Sequence, residues 1–176
     1  MSIHRVFVPK QAVGLSLVYF DFWVPTTSPY YFELMSCLPV ISGAVAVSGT
    51  VGVDLLLTRT SAVGTGGTAA TFNGTDTTAL TIASHDNTQA LLAADCSARL
   101  TPTGGATAGA VLAWRSFFTE ETNVATYILQ PDLARADYSD VPPISIPGGT
   151  GIRVVQGAVA SVGNIGFDLI LRTTRR

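Results

Sequence analysis

The side chains that could act as acids, bases or metal ligands are few in this chain. Its 176 residues include 12 acidic side chains, ten basic ones and only two histidines, His4 and His85. His85 lies between Ser84 and Asp86, so the residue types of a hydrolase triad are adjacent. Neighbours on a strand point to opposite faces, whereas a working triad brings its members together from separate positions. No G-x-S-x-G turn accompanies them, so this triplet predicts a loop histidine at a strand end.

Five acidic residues of the C-terminal half are the next candidates: Glu120, Glu121, Asp132, Asp137 and Asp140. Such a group can hold Ca²⁺ or supply paired carboxylates for hydrolysis. Their spacing matches neither an EF-hand loop nor a glycosidase pattern. We predict a solvated loop here, with Ca²⁺ binding as the open alternative.

The glycine and cysteine patterns match neither a phosphate-binding loop nor a metal site. The stretch Gly64–Gly67 lacks the Lys-Ser/Thr of a phosphate-binding loop, so we interpret it as a turn. Cys37 and Cys96 have no metal-binding spacing, and two buried thiols are favoured over a disulfide. The sequence therefore predicts no catalytic residue, no cofactor and no metal ligand, and the protein is predicted not to be an enzyme.

Composition points to assembly. Only 12% of the residues are charged and 47% are hydrophobic, whereas a solitary soluble domain carries about 25% charged residues. The net charge of −2 provides no basic field for nucleic acid, and no apolar run is long enough for a membrane span. We expect the apolar surface to meet another copy of the chain or a protein partner, and with no signal peptide in view we expect synthesis in the cytoplasm.

The hydrophobic pattern predicts many short strands separated by Gly, Pro, Asn, Asp and Thr clusters. It indicates an all-β fold, an antiparallel β-sandwich or jelly roll with little helix, formed by one domain over residues 1–176. Gly14–Trp23 alternates cleanly, and Val40–Val47 and Val51–Thr60 look like a hairpin. Asp86–Asp95 is the best helical candidate. Residues 1–12 are a candidate arm, or a strand exchanged with a neighbouring subunit.

Aromatic residues cluster within the first third of the chain. Those on the strand are expected in the core. For those around Pro25–Phe32, a place in the core and a place in a subunit interface are equally favoured. The arginines at the C-terminus are either solvated or docked on an acidic neighbour. The predicted interface residues are Trp23, Tyr30, Tyr31, Phe32, Arg172, Arg175 and Arg176.

Three segments carry a family resemblance. They are GTGGTAATF (64–72), followed by a strand and TIASHD; ISIPGGTGIRVVQG (144–157); and GFDLILRTT (166–174). Together they resemble a recurring type of small structural protein of tailed bacteriophages. The resemblance implies a β-sandwich virion protein that decorates, cements or connects parts of the capsid.

The leading hypothesis is a non-enzymatic virion structural protein of the capsid decoration or cement type. Its expected partners are itself, with a trimer as the simplest closed assembly, and the major capsid protein. The alternative is a carbohydrate- or receptor-binding jelly-roll module of a fibre or adaptor, suggested by Tyr30, Tyr31 and the acidic loop 119–140. A hydrolase that uses Glu120, Glu121 or Asp137 ranks last.

Overall fold

The computed structural model describes residues 1–42, 51–74, 78–85, 90–105, 107–119, 132–135, 142–158 and 163–175. Every regular element in these ranges is a strand. In chain order the strands are β1 (Ser2–Ala12), β2 (Val18–Val24), β3 (Tyr30–Ser42), β4 (Val51–Thr60), β5 (Thr68–Ala69), β6 (Thr71–Phe72), β7 (Thr81–Ser84), β8 (Ser97–Leu100), β9 (Ala108–Thr119), β10 (Ile144–Ile146), β11 (Thr150–Gln156) and β12 (Asn164–Arg175). The described residues contain no helix that meets the length and hydropathy of a membrane span.

The strands form two six-stranded sheets. The first, sheet A, has the order β10-β3-β12-β1-β7-β6, and the second, sheet B, has the order β5-β8-β2-β11-β4-β9. All pairings are antiparallel except that of the two-residue β6 with β7. The predicted all-β class with two antiparallel-rich sheets is confirmed, and the architecture is consistent with a β-sandwich. Jelly-roll connectivity stays a prediction.

The core lies between the inner faces of the two sheets. On β12, Phe167, Leu169 and Leu171 are buried while their alternating neighbours face outward, as the pattern of that segment predicts. Phe167 of sheet A packs against Tyr19 of sheet B with the ring centroids 5.4 Å apart in an edge-on arrangement. These inter-sheet aromatic contacts join the two layers.

The N-terminal part of Gly14–Trp23 is a turn and not a strand. Leu17 donates its backbone N–H to the carbonyl of Gly14, and Ser16 has a positive φ of 55°. The strand begins at Val18, and a register shift in its pairing with β11 accompanies burial of Tyr19 beside its neighbour Phe20. Strict alternation therefore fails at this irregularity.

The predicted hairpin between Val40–Val47 and Val51–Thr60 is wrong in the described residues. β3 pairs with β12 and β10 in sheet A, while β4 pairs with β11 and β9 in sheet B. The alternating residues Val53, Leu55 and Leu57 of β4 are fully buried and belong to the opposite layer of the core. Residues 43–50 lie outside the described ranges.

The predicted helix over Asp86–Asp95 is wrong for its described part. Residues 90–95 end in a turn, in which the Asp95 carboxylate accepts the N–H of Leu92 at 2.8 Å and the Asp95 N–H donates back to the Leu92 carbonyl at 2.9 Å. A short acidic side chain that bonds the nearby backbone favours such a turn over a helix. Residues 86–89 lie outside the described ranges.

The N-terminal segment is a central strand of its own sheet and not an arm. β1 pairs with β12 on one side and with β7 on the other. Its inward residues Val6 and Val8 are buried in the core, and His4 is buried beside Thr173, with the ring Nε2 3.0 Å from the threonine hydroxyl. A free arm is therefore not what this arrangement shows, because β1 is paired on both sides. Exchange of the strand with a neighbouring subunit stays a prediction.

Candidate interaction surfaces

The predicted aromatic interface is divided by the fold. Phe32 is fully buried, and its ring lies 5.5 Å from that of Phe22 in an edge-on contact between the two sheets. Tyr30 is also buried, and its ring centroid lies 6.4 Å from that of Phe32. Their assignment to an interface is therefore wrong, because β3 begins at Tyr30 and turns both rings into the core. Trp23 and Tyr31 are half-buried and stay candidates.

The C-terminal arginines have different surroundings. The Arg172 guanidinium donates through Nε to Glu33 at 2.6 Å across the β12–β3 pairing, and this hydrogen bond raises the pKa of Arg172. Its partner is thus an acid of its own chain, where the sequence predicted solvent or a neighbouring subunit. Arg175 is exposed at the end of β12. Arg176 lies outside the described residues.

The outward side of sheet A carries an apolar surface that sequence reasoning missed. We call it the outer face of sheet A, and it is formed by alternate residues of β1, β12 and β3. Its apolar members are partly or largely exposed: Ile3, Phe7, Met35, Leu38, Val40 and Ile170. The signal was present in the alternation of GFDLILRTT, since Ile170 occupies an outward position on a strand whose inner face is also apolar.

Four of the charges on this outer face neutralise one another in two pairs. Arg5 donates through Nε to Asp168 at 2.7 Å and through a second nitrogen to the other carboxylate oxygen, a bidentate pair. The Asp168 hydrogen bond raises the pKa of Arg5, whose guanidinium also lies 4.5 Å from the centroid of the Phe7 ring. Together with the Arg172–Glu33 pair, this places two acids and two bases on the face, each already paired.

Two cavities open on the outer face of sheet A. One, of about 610 Å³, is bordered by Phe7, Pro9, Lys10 and Val40. The other, of about 540 Å³, has a mainly apolar lining, and its polar members are Ser36, Asp132 and Arg135. The face is therefore indented and not flat.

Asp132 attaches the segment 132–135 to the sheet. Its carboxylate accepts the Ser36 hydroxyl at 2.5 Å and the N–H groups of Cys37 and Ala134 at 2.8 Å each. Leu133, directly after it, is buried and donates its N–H to the Cys37 carbonyl at 2.9 Å. The prediction that Asp132 belongs to a solvated acidic loop is wrong, because both of its oxygens are occupied by hydrogen bonds to its own chain. Glu120, Glu121, Asp137 and Asp140 lie outside the described residues.

On sheet B, a buried carboxylate lies beneath the glycine-rich segment. Asp21 accepts the N–H of Gly64 at 2.6 Å through one oxygen and the N–H of Arg99 at 3.0 Å through the other. The Arg99 guanidinium in turn donates to the Gly66 carbonyl at 3.0 Å. The segment Gly64–Gly67 thus packs over the buried Asp21 carboxylate, and its backbone carbonyl and N–H groups form hydrogen bonds within the chain. Burial raises the pKa of Asp21, the bonds from Gly64 and Arg99 opposing that rise.

The raised pKa of Asp21 predicts how the stability of the protein depends on pH. Because the folded state holds the Asp21 proton more tightly than the unfolded chain, the contribution of Asp21 to the free energy of unfolding should fall as pH rises above about 4, the usual pKa of an aspartate. Urea unfolding from pH 4 to pH 7 should show the stability difference between the protein and Asp21→Asn decreasing with pH. A difference that is constant or that grows with pH would contradict this.

The remaining chemistry candidates do not assemble in the described part of the chain. His85 is exposed just after β7, and its N–H donates to the Ile3 carbonyl at 2.9 Å, while Asp86 lies outside the described residues. Cys37 and Cys96 are free, buried thiols, as predicted, and burial raises the pKa of each. Within the residues described, no three His, Cys, Asp or Glu side chains form a group that could hold a metal ion.

The outward side of sheet B also carries an apolar row. The register of four neighbouring strands places Trp114, Leu56, Val155 and Val18 side by side, from β9 at the edge to β2. Trp114 is 63% exposed, and the other three are partly exposed. Trp114 was not among the predicted interface residues, although its strand AGAVLAWRSFFT contains a single charge.

Comparison with known proteins adds no relative. No protein-family model, no curated protein and no solved structure matches this chain.

Proposed function

We propose that this chain is a non-enzymatic virion structural protein, a capsid decoration or cement protein that associates with itself and binds the major capsid protein. The observation that carries the proposal is the outer face of sheet A. It exposes apolar side chains from three strands, and two pairs of charges on it, Arg5–Asp168 and Arg172–Glu33, are satisfied within the chain. Contact with a protein partner therefore desolvates few ions outside those pairs, which in the described part of the chain are Lys10 and Arg135 at the two cavities.

The mechanism is stabilisation of an assembled state. Burial of the outer face against a capsid shell contributes about 25 cal/mol for each Å² of apolar area removed from water. The pairs Arg5–Asp168 and Arg172–Glu33 lie among these apolar residues and restrict the registers in which a partner can dock. A ligand that binds only the assembled shell stabilises that shell by mass action.

The test introduces one charge on the outer face. Val40→Lys should weaken binding to shells of the major capsid protein at least tenfold, because about 1.4 kcal/mol is lost when an unpaired ammonium group is buried. Co-sedimentation with shells assembled from the major capsid protein of the same virion measures the affinity. Val63→Lys is the matched control, since Val63 and Val40 are both 39% exposed and Val63 belongs to the loop after β4.

Two results would contradict the proposal. The first is wild-type protein that does not sediment with the shells. The second is an equal affinity for Val40→Lys and Val63→Lys, which would mean that the outer face of sheet A does not contact the shell. Thermal unfolding of both variants checks that each still folds.

The carbohydrate- or receptor-binding alternative receives less support. It depends on Tyr30 and Tyr31 as a pair of exposed rings, and Tyr30 is buried. A glycan array probed with the purified protein tests it directly, and specific binding that is lost in Tyr31→Ala would favour it over the capsid role. The residues suggested for a hydrolase, Glu120, Glu121 and Asp137, lie outside the described chain.

A further inference from the structure

The four ends of the two sheets differ in length. Sheet A ends in β10, of three residues, and in β6, of two. Sheet B ends in the two-residue β5 on one side and in the 12-residue β9 on the other. Short terminal strands leave few unpaired backbone groups, which is a common way to prevent association at an edge. β9 is the exception among the described strands.

The sequence of β9 lacks the usual protection of an edge. It contains no lysine, no proline and no acid, and its one charged residue is Arg115. Val111 is 54% exposed and Trp114 is 63% exposed. In the described chain β9 has a strand on one side only, namely β4. A long apolar strand with an open backbone edge is a template for an additional strand.

We propose that β9 pairs antiparallel with β9 of a second copy about a two-fold axis, so that two copies of sheet B form one continuous sheet. This pairing specifies how the self-association of the proposed function takes place. Only its biological role rests on the proposed function. The occupant must be extended, because only an extended backbone can satisfy alternating N–H and C=O groups along an edge. A two-fold axis makes the contact closed, so the association stops at two copies.

Side-chain sizes favour the antiparallel arrangement with a second β9. The strand begins with small residues, Ala108–Ala110, and has Trp114 and Arg115 in its second half. The register shift of β9 between Val111 and Ala113 leaves both Val111 and Trp114 exposed, although they are three residues apart. Antiparallel self-pairing centred between them sets Trp114 of one copy opposite Val111 of the other and Arg115 opposite Ala110. A parallel pairing in register would instead set tryptophan on tryptophan and arginine on arginine, and directly opposed like charges are destabilising.

The same axis extends the apolar row of sheet B. A two-fold axis perpendicular to the sheet keeps the outer faces of both copies on the same side. The row Trp114, Leu56, Val155 and Val18 then continues into its counterpart across the new β9–β9 contact. The exposed Trp114 is covered on the edge side, which provides the apolar contact that an interface centre needs.

The experiment measures the mass of the intact chain by sedimentation and native mass spectrometry. We expect a species of twice the monomer mass. Trp114→Lys should raise the dissociation constant of the pair at least tenfold, because a lysine on an edge strand opposes strand addition. Leu92→Lys is the matched control, since Leu92 is 62% exposed and lies outside every strand.

A second measurement locates the contact. Backbone amides of β9 should exchange with solvent more slowly as protein concentration rises, whereas those of the exposed residues Ala93 and Ala94 should not change. Mixing Val111→Lys with Trp114→Glu should restore a pair that neither variant forms alone, because the lysine at position 111 of one copy then lies opposite the glutamate at position 114 of the other.

Wild-type protein that is monomeric or trimeric would overturn the inference, as would a pair that survives Trp114→Lys with unchanged affinity. A trimer, or a pair that does not depend on Trp114, leaves the proposed function standing if the protein still binds capsid shells through the outer face of sheet A. A monomer that binds shells would contradict only the self-association within that function. Conversely, a β9-dependent pair that does not bind shells would contradict the proposed function alone.

Discussion

Truncation of Phe167 to alanine should lower the free energy of unfolding by about 3–5 kcal/mol. Phe167 is 1% exposed, and its ring meets those of Tyr19 and Phe20 from the opposite sheet at centroid distances of 5.4 and 5.6 Å. The truncation removes the contact that joins β12 to β2 and leaves a cavity between the two layers. Urea denaturation monitored by circular dichroism measures the change.

Ile170→Ala is the control for Phe167→Ala. Ile170 lies three residues further along β12 on the outer face of sheet A, where it is partly exposed. We expect its truncation to cost about 1 kcal/mol or less, since part of the side chain already meets water. Equal losses for the two variants would show that Phe167 does not lie between the sheets as described.

Replacement of Gly64 by alanine should destabilise the fold by about 2–4 kcal/mol, the combined cost of overpacking and of a disturbed buried hydrogen bond. An added Cβ would come within 2.0 Å of the Asp21 carboxylate oxygen and 2.9 Å of the Pro102 side chain. The Asp21 side chain cannot move away without a cost in stability, because it is buried and both of its carboxylate oxygens accept hydrogen bonds. Thermal and urea unfolding at neutral pH measure the loss.

Gly14→Ala is the matched substitution for Gly64→Ala. A Cβ at Gly14 meets only the Leu17 side chain, at an ordinary distance of 3.4 Å. We expect its effect to stay within about 0.5 kcal/mol, as for most substitutions that create no clash. If Gly64→Ala were equally mild, the segment Gly64–Gly67 would not be held tightly over Asp21.

Local pattern was enough to predict the fold class and the inward side of the best strands. The alternation in β12 correctly separates buried Phe167 and Leu169 from outward Ile170, because side chains on a strand project to opposite sides whatever the partner strand is. Pattern failed where backbone geometry changed. The register shift beside Tyr19 and the turn closed by Asp95 are both set by hydrogen bonds to particular neighbours and not by hydrophobic period.

The sequence predicted that apolar side chains would be exposed but not which residues they are. Low charge and high apolar content predicted exposed apolar side chains, but of the aromatic residues predicted to lie there, Tyr30 and Phe32 are core. The outer face of sheet A depends on β1, β12 and β3 being neighbours, which are far apart in the chain. A single sequence carries no direct signal for that adjacency.

Composition and period by themselves determined that this chain is an all-β protein with more apolar surface than its charges can offset. Tertiary structure alone decided where that surface lies. It turned the aromatics of Tyr30–Phe32 inward, paired Arg172 with Glu33, and left β9 as the long edge of sheet B. The physical reason is that burial and strand order follow from long-range pairing of the whole chain, whereas the tendency to form a strand is local.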